Sequence, residues 1–148
     1  MFKKKGFSLI ELMLALAIVG VIYSIAFPSY AKYQDRADVV RAVSDLSAIS
    51  QALERHFASE NNYPNTLAEF GWQLNDPWGN PYYYTNIAAT KGKGALRKDK
   101  NLVPINADFD LYSAGKDGET VGPLTAKSSR DDVIRAGNGA FFGLAEDY

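Results

Sequence analysis

One carboxylate, Glu11, stands inside an apolar run, and three more, Asp117, Asp131 and Asp132, stand on loop-like sequence toward the end of the chain. These are the residues whose types and spacing could do chemistry. Within Phe7–Phe27 the apolar character is interrupted at Ser8, Glu11, Gly20 and Ser24, with Lys3, Lys4 and Lys5 just ahead. A carboxylate in the lipid interior costs about 2.5–3.5 kcal/mol or more unless a cation meets it. Cutting the chain between Gly6 and Phe7 would remove the lysines and give Phe7 a charged α-amine, four residues or one helical turn from Glu11. In copies packed side by side, Glu11 of one chain could then pair with the Phe7 amine of the next and neutralise both in lipid.

The aspartates suggest different chemistry. Asp117, Asp131 and Asp132 lie in Gly/Ser-rich sequence and offer the oxygen donors that a hard cation such as calcium prefers. An EF-hand starting at Asp108 fails, because Tyr112 and Ser113 occupy the places of an acidic ligand and of the required glycine. The same aspartates also suit turns and cap positions, and Asp131–Asp132 precede "VIRA", a plausible short helix. Both readings stay open on the residues alone. His56 is the sole histidine and falls beside an apolar helical stripe, where packing suits it better than catalysis or metal binding. Cysteine is absent, which excludes a catalytic thiol, a Cys-ligated zinc and a disulfide framework. There is no Gly-rich phosphate loop and no G-x-S-x-G elbow, so the chain does not read as an enzyme. A net charge of −1 gives no basic field, and nucleic acid is not an expected partner.

The elements that would position these groups follow from periodicity. Phe7–Phe27 as a helix spans about 30 Å, the thickness of a bilayer core. A cleaved secretory signal explains the basic start, but the apolar region is long and a small-x-small cleavage site is poorly placed near Pro28. A plain anchor with Lys3–Lys5 in the cytoplasm leaves Glu11 unexplained. Pro28 removes a helical hydrogen bond and favours a kink. Beyond it Val39, Val43, Leu46, Ile49, Leu53 and Phe57 recur at helical steps, so one helix is expected from about Phe7 to Phe57, membrane-embedded first and amphipathic later. "SENNYPN" should end it. "DPWGNPYYYT" predicts a tight turn leading into a strand, and "DFDLYSAG" a half-buried strand. "KGKGALRKDKN" between them reads as a solvated, basic hairpin connection. The fold class is α+β: a long N-terminal helix packed on a small antiparallel sheet, with a long C-terminal loop.

"KGFSLIELMLALAIVGVI" resembles the class III signal of type IV pilins and type II secretion pseudopilins, with a basic leader ending in Gly6, then Phe7, then Glu11 at the fifth mature position. The "DPWGNPY" turn and "SAGKDG" are similar to the major pseudopilins, and the resemblance runs from Met1 to about Asp132. It implies a leader 1–6, a membrane and filament-core helix 7–28, and a periplasmic pilin-like domain 29–148. It also implies cleavage after Gly6 by a prepilin peptidase, N-methylation of Phe7 and assembly through Phe7 and Glu11. The implied function is a structural subunit of a type II secretion pseudopilus, held as a single-pass protein in the bacterial inner membrane before assembly. The implied partners are further copies of the chain, minor pseudopilins and an inner-membrane assembly platform. A type IV pilus subunit for adhesion, motility or DNA uptake is the alternative. In the family, loop aspartates bind calcium; Asp117 matches the first, Asp131–Asp132 resemble the later ones, and Ala114 falls at a backbone-carbonyl ligand. The C-terminal segment 133–148 is longer than the family pattern suggests.

Overall fold

A computed structural model describes residues 6–148, so Lys3–Lys5 lie outside the described residues. The chain divides into two compact units, Met1–Arg36 and Ala37–Tyr148, and one helix, α1 (Leu9–Glu60), runs through both. In the first unit every large apolar side chain from Phe7 to Phe27 is at least 51% exposed, and the helix is long and apolar enough to cross a membrane. Pro28 sits inside α1 without ending it.

In the second unit the helix becomes amphipathic. Ala42, Leu46, Ile49 and Leu53 are fully buried, whereas Val40 and Arg41 face outward. The expected stripe is therefore real, apart from its last member, since Phe57 is exposed and stacks on Tyr63 at 4.5 Å between ring centroids. Asn61, at φ 55°, ends α1 in a left-handed cap, and its N–H reaches the Phe57 carbonyl at 2.8 Å.

Four strands, β1 (Tyr83–Asn86), β2 (Phe109–Ser113), β3 (Val133–Ala136) and β4 (Phe141–Leu144), form an antiparallel sheet in chain order. The register pairs Tyr83 with Tyr112, Tyr112 with Ile134, and Val133 with Leu144. One sheet face, with Phe109, Leu111 and Val133, packs on Leu46, Ile49 and Leu53 of α1. The other face is also covered: Ile134 and Ala136 cluster with Ile105 and Leu124, which come from the two long connections 87–108 and 114–132.

That second layer corrects three sequence expectations. "DFDLYS" is not half-buried, because Asp110 is 1% exposed beneath the connections. "KGKGALRKDKN" is not simply a solvated hairpin connection, because Leu96 and Arg97 are buried and Lys98 bridges to Pro123. "VIRA" forms β3 rather than a helix, pairing on both sides; its β-branched pair suits a strand once β2 and β4 flank it. Segment 133–148 thus supplies two strands of the sheet.

Leu46→Ala should destabilise the full chain by about 2–5 kcal/mol, because the site is fully buried. Val40→Ala, at a position 68% exposed, should stay within about 0.5 kcal/mol of the parent. Denaturant unfolding in detergent compares the two, and equal losses would show that the helix stripe does not carry the core.

Candidate functional site

Two places concentrate the residues singled out above. The first is the start of α1. Gly6 and Phe7 precede the helix in exposed, irregular backbone, and Phe7 is 88% exposed, so the bond between them is open to a peptidase. Ser8 is the cap. Its N–H and its hydroxyl both donate to Glu11 Oε2 at 2.8 Å, and the Glu11 N–H donates back to Ser8 Oγ at 3.3 Å. This is the reciprocal capping box written as Ser-x-x-Glu, which satisfies N–H groups that a helix start leaves without partners. The Ser-x-x-Glu spacing of this box is legible in "SLIE".

The second place is the β2–β3 connection, 114–132. Its entrance is held by the "DPWGNPY" turn. Asp76 Oδ1 accepts the N–H groups of Trp78 (3.1 Å) and Asn80 (2.8 Å), while Oδ2 accepts the Ser113 hydroxyl at 2.5 Å. Asn80 donates from Nδ2 to the Gly115 carbonyl at 3.1 Å. Gly115 has φ +67°, and a Cβ there would collide with the Asp131 carbonyl, so the two ends of the connection meet at a position only glycine fits.

The expected ligands do not share one site. Asp131 Oδ2 accepts the N–H groups of Lys116 (3.0 Å) and Asp117 (3.1 Å). Asp117 is exposed, and its Oδ1 accepts the Glu119 N–H at 2.8 Å in a local turn. Ala114 is buried beside Ser113. Asp132, fully buried, forms an ion pair through Oδ2 with Arg97 and accepts the Thr120 hydroxyl at 2.7 Å. Burial pushes the Asp132 carboxyl up to about 6, with Thr120 and Arg97 pulling it back.

Arg97 does the gathering. Its backbone N–H donates to Asp110 Oδ2 at 2.8 Å, and its guanidinium lies 4.3 Å from the Tyr112 ring centroid. Nη1 donates to Thr120 Oγ1 (2.6 Å) and to the Val121 carbonyl (2.7 Å). The basic, Gly-containing sequence around Arg97 suggests a solvated loop, yet its side chain is 3% exposed. What could have pointed inward was its neighbour Leu96, the one large apolar residue in "KGKGALRKDKN".

Asp117, Asp131 and Asp132 do not converge here as one carboxylate ligand set. Calcium takes about 6–8 oxygen ligands, and among the described residues no three carboxylate or imidazole groups gather to hold a metal. Asp132 already has a cation on one oxygen, and only its Oδ1 is left buried without a partner. A divalent ion set there would lie beside a guanidinium that cannot lose its charge.

Known proteins share sequence with both the N-terminal segment and the rest of the chain. A family described as the prokaryotic N-terminal methylation motif matches residues 1–27. The type II secretion system core protein G of Pseudomonas aeruginosa is 30% identical over 142 residues, covering 81% of this chain and 89% of that protein. Its namesake from Klebsiella pneumoniae is 28% identical over 137 residues, 90% of this chain and 94% of that protein. The type IV major pilin protein PilA of Myxococcus xanthus is 32% identical over 105 residues, but the match covers 46% of that protein. No solved structure gives a significant match.

Asp76→Ala should cost at least about 2 kcal/mol, because three donors, one of them the buried Ser113 hydroxyl, lose a charged acceptor. Asp76→Asn, which keeps an oxygen for the turn amides, should cost less. Thermal unfolding ranks the two; an Asn variant as damaged as the Ala variant would mean that the turn hydrogen bonds are not what Asp76 contributes.

Proposed function

The chain belongs to the type II secretion system core protein G family, and on that premise we propose that it is a structural subunit of a pseudopilus, a filament that grows by packing N-terminal helices and drives protein export. The observation that carries the reading is the first part of α1: apolar all round, unburied within its own chain, and headed by the single carboxylate Glu11. A helix apolar on every side needs lipid or like helices around it. A filament core and the membrane that precedes it supply both.

In this reading a prepilin peptidase cuts between Gly6 and Phe7 and methylates the new amine. Residues 7–28 lie in the inner membrane with the leader on the cytoplasmic side, and 29–148 form the periplasmic domain. An assembly platform and minor pseudopilins are the further partners. The subunit's role is structural rather than catalytic. The pilus alternative rests on the PilA similarity, which spans less than half of that protein, against nearly nine-tenths of the Pseudomonas secretion protein.

Intact mass of the membrane-extracted protein should show a chain beginning at Phe7. A mass that still includes Lys3–Lys5 counts directly against processing.

The capping box sharpens the test of Glu11. Glu11→Gln keeps a cap acceptor for Ser8 but removes the charge. It should leave cleavage and folding intact while reducing filament yield and secretion about tenfold or more, the effect of losing about 1.4 kcal/mol per contact. Glu11→Ala should assemble no better. If Glu11→Gln assembles as the parent does, the carboxylate serves the helix start and not the neighbouring subunit.

A further inference from the structure

We propose that Arg97 is the cation that orders the 114–132 connection, standing where a bound metal would otherwise be needed, so that this domain is stable without divalent ions. The connection is long and must cover the second sheet face, and a segment of that length inside a compact domain needs a fastener. Among the described residues no three of its Asp and Glu side chains gather to hold a metal, and the chain has no cysteine. What it has is one arginine side chain, 3% exposed, whose two terminal nitrogens bond to the middle of the connection at Thr120 and Val121 and to its end at Asp132.

The arginine is itself held before it meets the connection. Its backbone N–H is fixed to Asp110 of β2, and its guanidinium stacks over Tyr112 of the same strand. The chain therefore runs sheet, arginine, connection. Neighbouring backbone reinforces the order: the Lys98 N–H donates to the Gly122 carbonyl at 3.1 Å, and the Leu124 N–H to the Lys98 carbonyl at 2.9 Å. Ser129 closes the far side, its hydroxyl accepting the Val121 N–H and donating to the Val121 carbonyl, both at 2.9 Å. A guanidinium offers five donors in a rigid plane and keeps its charge at any physiological pH. It can hold two acceptors and a carboxylate at once, as a metal would hold its ligands, with no dependence on ion concentration.

The test uses the full-length chain in detergent. The parent protein should melt at the same temperature in excess calcium and in chelator. Arg97→Met, which keeps the length of the stem without the charge, should melt several degrees lower. It should also exchange amide hydrogens faster at Lys116, Asp117 and Val121, while the β1–β2 amides Tyr84 and Leu111 are little changed. Adding Asp132→Asn to that variant should recover part of the loss, because the buried carboxylate no longer lacks its cation. A parent melting point that falls in chelator and returns with calcium overturns the proposal. So does an Arg97→Met chain whose exchange in 116–121 matches the parent, or a double variant with no recovery. The calcium comparison on the parent chain stands even if Arg97→Met fails to fold.

Discussion

A four-stranded sheet has two faces, and among the described residues there is one α-helix to cover them. That constraint shapes the domain. The helix half that follows Arg36 shields Phe109, Leu111 and Val133, and nothing regular remains for Tyr112, Ile134 and Ala136 on the opposite side. Two long connections fold over that side, bringing Ile105 and Leu124 down onto it. A connection that covers a core face cannot be loose, and yet only a few of its backbone groups pair with one another, as Lys98 does with Gly122 and Leu124. The rest need side-chain partners, since a buried amide or carbonyl without one costs as much as a lost hydrogen bond. The Asp76 turn, the Asp131 carboxylate, Ser129 and Arg97 are those partners.

The two faces are held by two buried arginines. Arg135, 1% exposed, lies on the helix face, where its Nη atoms reach both oxygens of Asp108 at 2.9 and 2.6 Å and its Nε donates to Ser50 at 3.0 Å. Its guanidinium sits 4.0 Å from the Phe109 ring centroid. Arg97 repeats the arrangement on the other face with Asp132 and Tyr112. Each charge is taken from water only because a carboxylate, neutral acceptors and an aromatic ring surround it. A buried pair of this kind gains little net stability over an apolar core, while losing one partner costs much more. The pairs thus act less as sources of stability than as constraints on which packing is tolerated.

The helix was legible because period and length are local signals: the stripe through Leu46, Ile49 and Leu53 could be counted directly from the sequence. The Gly6–Phe7–Glu11 spacing was legible for the same reason. What stayed hidden was set by pairing across the chain. Asp110 looks like the polar side of an exposed strand until something covers it, and the residues that cover it lie in connections with no periodicity. Arg97 and Asp132 are 35 positions apart, and only the fold makes one the partner of the other. "VIRA" is too short to declare a period, so its strand character comes from β2 and β4 on either side. Three aspartates near one another in sequence looked like one ligand set, but strand and turn geometry sends Asp131 to the amides of Lys116 and Asp117 and Asp132 into the core beneath them.

The same helix also answers to two environments, and Glu11 is where they meet. Capping and intermolecular pairing look like rival roles for one carboxylate, but its hydrogen-bonding capacity argues otherwise. An ionised carboxylate has about four lone-pair sites on its two oxygens. The Ser8 amide and hydroxyl occupy Oε2 alone. A cation from a neighbouring chain can approach the free oxygen Oε1 without breaking either bond. The cap keeps the carboxylate at a fixed position one turn from the chain's start, so less side-chain entropy remains to be lost when a partner arrives. The box is therefore better understood as orienting Glu11 than as competing for it.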